Sequence, residues 1–416
     1  MVFNWHLDES PPIIESHSKA KLKVLRSYLR AYFDRLNVNP VREDFKLDLI
    51  DGFSGGGVFL DGLTEISGTP LVMLEETEQA RIRLNRNRKK KLHIDCKFYF
   101  IDKKEAHTNY LQKTLLERGY LVGNDKLVIR NDRFENEVRN ILKSIQKRQP
   151  RAGRAIFLLD QKGFSGVELS IISRIFRELP NAEVILTFAA DALVNHLSDR
   201  PETAKMVMPL QLQSRVPDLI EMKEGNGGRA LVQRTLRDHI RMATGAMYDT
   251  PFFIRPRQSR RALWFLHLSM HPIARDVMTQ QHWNNQNIFE HYGQGDFGFL
   301  GWDALVDSDT IPLFQFRDLD KREMKKGLLE SLPKELYRLV YEQPVTMDAL
   351  RHTLANRTAA RFSDLDEVIV ELHKEREIEI RNPEGKRRAM TVRHLASTDR
   401  VALPSTQLLL GLSRRS

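Results

Sequence analysis

The feature that most narrows the fold of this chain is a beat in which short apolar runs alternate with helix-length segments. Residues 47–50 are followed by 69–91, residues 97–101 by 104–118, residues 126–129 by 134–148 and residues 155–159 by 166–179, with the apolar run 183–188 closing the series. Five such runs separated by helices predict a parallel sheet with helices on both faces. Ahead of the series, Leu22, Leu25, Tyr28, Leu29, Tyr32, Phe33 and Leu36 recur at intervals of three and four, the period of an amphipathic helix. Residues 201–224 show no clear period, 225–228 read as a loop, and a helix over 229–243 leads into β runs at 252–255 and 262–268. The short connection between those two runs forces antiparallel pairing, since a parallel crossover needs a dozen or more residues. Five βα units with an antiparallel pair at one edge is the α/β, Rossmann-like layout of a class I methyltransferase sheet; dinucleotide folds end differently.

The later part of the chain reads as a second domain. Residues 293–320, rich in Gly, Asp and aromatics, form a linker or docking segment between a domain at 1–292 and another at 321–416. In the latter, helices over 321–342, 346–354 and 363–376 precede a β run at 378–381, a turn at Asn382-Pro383-Glu384-Gly385 and a return strand at 390–392. Three helices and a hairpin in that order predict a winged helix-turn-helix.

Chemistry concentrates where the first apolar run meets Asp51-Gly52-Phe53-Ser54-Gly55-Gly56-Gly57. Glycines let a ligand approach the backbone closely. A phosphate-cradling loop needs Lys and Ser/Thr after its last glycine, but Val58 and Phe59 stand there. The GxGxxG fingerprint is absent too, and Asp102 lies too far along for a nicotinamide ribose. What remains is one carboxylate before the glycines, Asp51, and one ending the second strand, Asp102, both at the carboxyl edge where open α/β sheets bind ligands. S-adenosylmethionine suits that set, because its ammonium and sulfonium are cationic and its ribose offers two hydroxyls. The expected cofactor site is therefore Asp51, Gly52, Phe53, Gly55, Gly57 and Asp102, with Asp132 accepting from the adenine amino group. The competing reading of any one of these acids is a turn or helix cap. The fourth run ends in Asp160-Gln161-Lys162-Gly163-Phe164, where amino-methyltransferases carry an acid or amide and then an aromatic. Asp160, Gln161 and Phe164 are the candidate catalytic residues, an acceptor for a target amino group and a platform for its base; the alternative is a plain helix-entry loop.

The ordered set Asp51 to Gly57, Asp61-Gly62, Gly68-Thr69-Pro70-Leu71, Asp160 to Phe164, and His267-Leu268-Ser269-Met270-His271-Pro272 leading to Val277-Met278 resembles the three-Cys-motif partner proteins (TcmP). The resemblance runs over roughly the whole chain. It implies a methyltransferase-like domain, a C-terminal winged helix, and a partner bearing a three-cysteine motif like that of radical-S-adenosylmethionine enzymes, in a mobile-element or phage-defence setting. The chain departs from the family in having Gly56, where many relatives have Pro, and Gln161-Lys162 after the fourth strand; either change bears on catalysis.

A formal charge of +10 favours anionic partners, and the wing tip Lys386, Arg387 and Arg388 is the expected nucleic-acid contact. Winged helices also mediate protein contacts, so two functions stand side by side: a methyltransferase acting on nucleic acid, and a non-catalytic adaptor that keeps the fold. The basic run Arg86 to Lys91 reads either as a phosphate-contacting face or as the positive end of a helix. His17, Lys19 and Lys21 read either as basic residues of the leading helix that reach the cofactor or substrate or, by preference, as a solvated helix start. No stretch approaches the roughly eighteen apolar residues of a membrane span. With no secretory leader pattern, the chain reads as cytoplasmic. Cys96, the only cysteine, is expected to be a buried apolar residue. His267 and His271 are expected to point apart, leaving no metal site. The sequence sets no oligomeric state.

Overall fold

The computed structural model describes residues 3–225, 228–254, 263–285, 291–292, 313–314, 318–341 and 343–404. They fall into two compact units, with the described residues up to Asn285 in the first and those from His291 in the second.

The first unit opens with helix α1 (Ser16–Leu36), whose buried face carries Leu22, Leu25, Tyr28, Leu29, Tyr32 and Phe33. Strand β1 (Asp44–Asp51) follows, then a hairpin of β2 (Val58–Asp61) and β3 (Thr64–Ser67), and then helix α2 (Thr69–Asn85). The βα series continues through β4 (His93–Asp102), α3 (Glu105–Glu117), β5 (Leu127–Asn131), α4 (Phe134–Arg148), β6 (Ala155–Leu159), α5 (Leu169–Glu178) and β7 (Ala182–Phe188). Strand order is β5-β4-β1-β6-β7, extended by β9 (Leu263–Ser269) and β8 (Tyr248–Ile254), to give seven strands. β9 is antiparallel to both of its neighbours, and the other pairings of this sheet are parallel. The architecture is therefore a mixed α/β, Rossmann-like sheet. β6 and β7 are buried along their whole length, as strands covered on both faces must be; β6 reads accordingly as an unbroken apolar run, and β7 as one interrupted by Glu183 and Thr187.

Right-handed crossovers put α2 and α3, which step outward from β1 to β4 to β5, on one face, and α4 and α5, which step the other way, on the opposite face. The direction reverses between β1 and β6. That reversal opens a crevice at the carboxyl ends of these strands.

Helix α6 (Ala190–His196) follows β7, and α7 (Pro201–Met206) and α8 (Val216–Glu224) occupy the stretch whose sequence has no clear period. Helices of two turns or so are too short to display one. Helix α9 (Gly228–Thr244) precedes β8, and α10 (Pro272–Asn284) follows β9.

In the second unit, α11 (Asp318–Val340) buries Met324, Leu328, Leu332, Leu336 and Val340, a single stripe at four-residue spacing. α12 (Met347–Leu354) and α13 (Phe362–Lys374) follow. A small antiparallel sheet completes the unit, with Arg400–Ala402 between Val345–Thr346 and Glu379–Arg381. The return strand expected at 390–392 is displaced: Glu379–Arg381 pairs with Arg400–Ala402, and only a bridge from Arg381 to Arg387 forms near the tip. Burial explains the choice. Val401 and Ile380 face each other in register, both fully buried, whereas Val392 is half-buried with no strand partner.

Candidate functional site

Asp51 ends β1 at the crevice and has no exposed surface. Its carboxylate accepts from the Phe53 N–H at 3.0 Å and from the Thr69 hydroxyl. Thr69 comes from across the β2–β3 hairpin, which is an excursion closed at its base by Gly68 N–H donating to Gly57 O at 2.7 Å. The start of α2 is thereby returned to the glycine loop, with the positive end of its dipole beside Asp51. Burial nonetheless dominates and raises Asp51 to about 7; the Thr69 and Phe53 donors oppose the rise, and the charges of Asp160 and Asp102 add to it.

Asp102 ends β4 and accepts from Gly55 N–H at 3.1 Å and Lys104 N–H at 2.9 Å, with His107 Nδ1 3.2 Å away. Burial works against its ionised form, but His107 and the two backbone donors prevail and hold it below the usual carboxylate range. Asp160, just past β6, is gripped by Lys21 of α1, whose Nζ donates to Oδ1 at 2.6 Å and Oδ2 at 2.5 Å. One turn earlier on α1, burial and the Lys21 charge push His17 below its ordinary value. The solvated helix start preferred from the sequence does not hold for Lys21, whose side chain is only 11% exposed and reaches the site, the other reading of that residue. Its partner lies 139 residues away, so no local pattern announces the pair.

The glycines face the chain itself. Gly55 and Gly57 have φ of +58° and +82°, the left-handed region that favours glycine. A Cβ on Gly56 would lie 2.3 Å from Trp5 Cγ, and one on Gly55 2.8 Å from Trp5 Cη2. Trp5 thus lies over the loop, its indole N–H donating to Val58 O at 2.7 Å and its ring packed edge-on to Phe59 and His107. A Cβ on Gly52 would meet Leu159 and Phe134. Trp5 was not anticipated, and nothing in the sequence around it marks it.

The remaining expected residues are placed as follows. Phe53 is half-buried beside Asp51. Gln161 is buried; its Oε1 accepts from Val167 N–H at 2.8 Å, and its Nε2 has no partner among the described residues, nor has the buried Ser54 hydroxyl. Phe164 packs against Phe188, with ring centroids 6.3 Å apart. Asp132 stands at the entry to α4, where Oδ1 accepts from Arg133 N–H and from Asn136 Nδ2, both at 2.7 Å; these donors hold its carboxyl below the usual value.

Lys386 and Arg387 are exposed beyond the Asn382 turn, with Arg387 3.7 Å from Glu379. Arg388 is bound to buried Asp399 at 2.8 Å and 3.2 Å. The run from Arg86 follows the end of α2, where Arg88 donates to the Arg42, Asn37 and Asn39 carbonyls and Lys90 pairs with Glu43. His267 is buried in β9 against Glu183, while His271 is exposed and caps α10. Among the described residues no group of three His, Cys, Asp or Glu is placed to hold a metal, and no helix is long and apolar enough to cross a membrane. Cys96 is buried in β4, and burial pushes its thiol up to about 12.

No family model matches the chain, and no curated protein matches it. Among solved structures it is similar to Trm1 from Pyrococcus horikoshii, determined in complex with S-adenosyl-L-methionine. That likeness covers 99% of this chain and 98% of that one, at 12% identity and a TM-score of 0.31. A likeness this loose fixes no residue-by-residue correspondence, and the chain is placed by its own sheet order and site geometry.

Proposed function

We propose that the first unit is an S-adenosylmethionine-dependent methyltransferase-like domain whose substrate or ligand is nucleic acid. The observation that carries this reading is the convergence of Asp51, Asp102 and Asp160 on the crevice where strand order reverses, with Lys21 paired to Asp160 and His107 beside Asp102. Carboxylates that raise one another's cost of ionisation favour a cationic guest. The ammonium and sulfonium of the cofactor meet that need. Asp51 and the Gly52 to Gly57 loop would hold its amino-acid end, and Asp102 its ribose. When bound, S-adenosylmethionine supplies an electrophilic methyl group. The chain's own part is to hold Asp160 in position through Lys21, so that it can accept from a target amino group, and to exclude water with Phe164, Phe188 and Trp5.

The experiment is calorimetric titration with S-adenosylmethionine and S-adenosylhomocysteine. The expected outcome is binding by the wild type and its loss in Asp102→Ala; silence at millimolar ligand overturns the reading.

The second reading is a non-catalytic adaptor that binds nucleic acid and the three-Cys-motif partner in a mobile-element or phage-defence setting. The site's own occupancy favours it. Asp102 is already satisfied by Gly55 and Lys104, Asp160 by Lys21, and Trp5 covers the loop. Under both readings the second unit is a winged helix-turn-helix, with Lys386 and Arg387 at its wing. Exposed Glu367, Glu371 and Glu375 on and just beyond α13 suit a protein partner better than phosphate. Retained nucleic-acid and partner binding by a chain that takes up no cofactor would establish the adaptor.

A further inference from the structure

A cavity of about 490 Å³ opens at the amino-terminal edge of the sheet, opposite the glycine loop, where β7 begins and β9 ends. Its size is that of a small-molecule site. α1 connects the two edges: Lys21 near its start reaches Asp160, while Tyr28, Tyr32 and Arg35 further along line the cavity.

Glu183 lies in the cavity wall with its side chain 9% exposed. Oε2 accepts from the Tyr28 hydroxyl and lies 2.9 Å from His267 Nε2, but no described residue donates to Oε1. A buried carboxylate with an unused acceptor calls for a donor. Burial, with the Glu183 charge, holds both tyrosine phenols well above their usual values, so they remain neutral.

Elsewhere in a largely apolar lining, Arg35 and Arg154 carry the opposite charge. Arg35 and Arg154 have no carboxylate partner within ion-pair distance among the described residues. Arg42 and Arg88 lie close by and donate to backbone carbonyls. Burial lowers the Arg42 value, and the charges of Arg154 and Arg88 lower it further, a sign of cations crowded without compensation.

We propose that this cavity binds a nucleoside monophosphate, with the N–H edge of its base donating to Glu183 and its phosphate paired with Arg35 and Arg154. A carboxylate oxygen suits the N–H donors of a base, and guanidinium forks suit a phosphate. The site is at the other edge of the sheet from the proposed methyl-donor site and does not depend on it.

The test is calorimetry on the full chain with GMP and AMP, their nucleosides, and inorganic phosphate. Binding of at least one nucleotide is expected, tenfold or more tighter than its nucleoside or inorganic phosphate. Arg35→Glu, at an exposed position where folding is not at stake, should lower nucleotide affinity at least tenfold and leave the nucleoside unchanged, whereas Glu183→Gln should weaken both. Asp102→Ala should leave nucleotide binding intact. No heat from either nucleotide at millimolar concentration, inorganic phosphate binding as tightly as the nucleotide, indifference to Arg35→Glu, or loss of binding in Asp102→Ala would each overturn the proposal.

Discussion

Asp51 is fully enclosed and still ends a strand beside two other carboxylates, so its protonation couples the candidate site to the stability of the fold. Its carboxyl is raised to about 7 in the folded protein from 3.8. Between those values the folded state holds a proton that the unfolded state has released, so stability falls as pH rises from about 4 to about 7 and levels off above. Asp51→Asn should remove that slope and be more stable than the wild type at pH 8, on the order of a few kcal/mol, since each tenfold change in protonation is about 1.4 kcal/mol. Urea midpoints at pH 4.5 and 8 for both proteins measure it; parallel shifts would mean that Asp51 ionises normally. A second test concerns Lys21 and Asp160. A double-mutant cycle with Lys21→Met and Asp160→Asn should give a coupling of about 1 kcal/mol, limited by the partial exposure of Asp160. Zero coupling would dismiss the pair as incidental.

The acids at the strand ends were readable as residues because the period places them, and three of the four, Asp51, Asp102 and Asp160, do converge. Asp132 stands at the entry to α4, where it accepts from Arg133 N–H and Asn136 Nδ2.

At the scale of elements, the long βα units could be read within a few residues of their ends, because each is long enough to repeat its pattern. The β2–β3 hairpin could not: four-residue strands carry no usable period, and the turn Asp61-Gly62-Leu63 between them reads equally well as loop. The missed hairpin changes the meaning of the glycines. Their sequence suggests room for a ligand, but at Gly55 and Gly56 the structure spends that room on Trp5. Gly56 has no left-handed backbone requirement, so Gly56→Ala should act only through the indole. It should lower the melting temperature and shift tryptophan fluorescence in the wild-type background, yet be nearly neutral in Trp5→Ala, a non-additivity expected of residues in contact. Gly57→Ala is the control: at φ +82° it is strained in either background, with a Cβ 2.6 Å from Leu111 Cδ1. Additive effects of Gly56→Ala and Trp5→Ala would mean that the indole does not rest on the loop in solution.

At the scale of the whole molecule, the net charge of +10 proposes an anionic partner without saying where it binds. The wing that we propose for the second unit narrows the question. Its three basic residues are equivalent in the sequence, but Arg388 is tied to Asp399, which has no exposed surface and also accepts from Ala396 N–H. Removing Arg388 would strand a buried carboxylate, and the cost would fall on stability before binding. Lys386 and Arg387 are therefore the pair to change. If they meet phosphate, Lys386→Ala with Arg387→Ala should weaken binding to every nucleic-acid sequence alike, and the logarithmic salt slope should become shallower by up to about two phosphate contacts, each worth about 0.9 on duplex DNA. Arg388→Ala should instead lower the melting temperature. A protein-docking wing predicts an unchanged slope with loss of the partner in pull-down. Unchanged slope together with retained partner would leave the wing without a contact role, and the basic charge would have to act elsewhere on the chain.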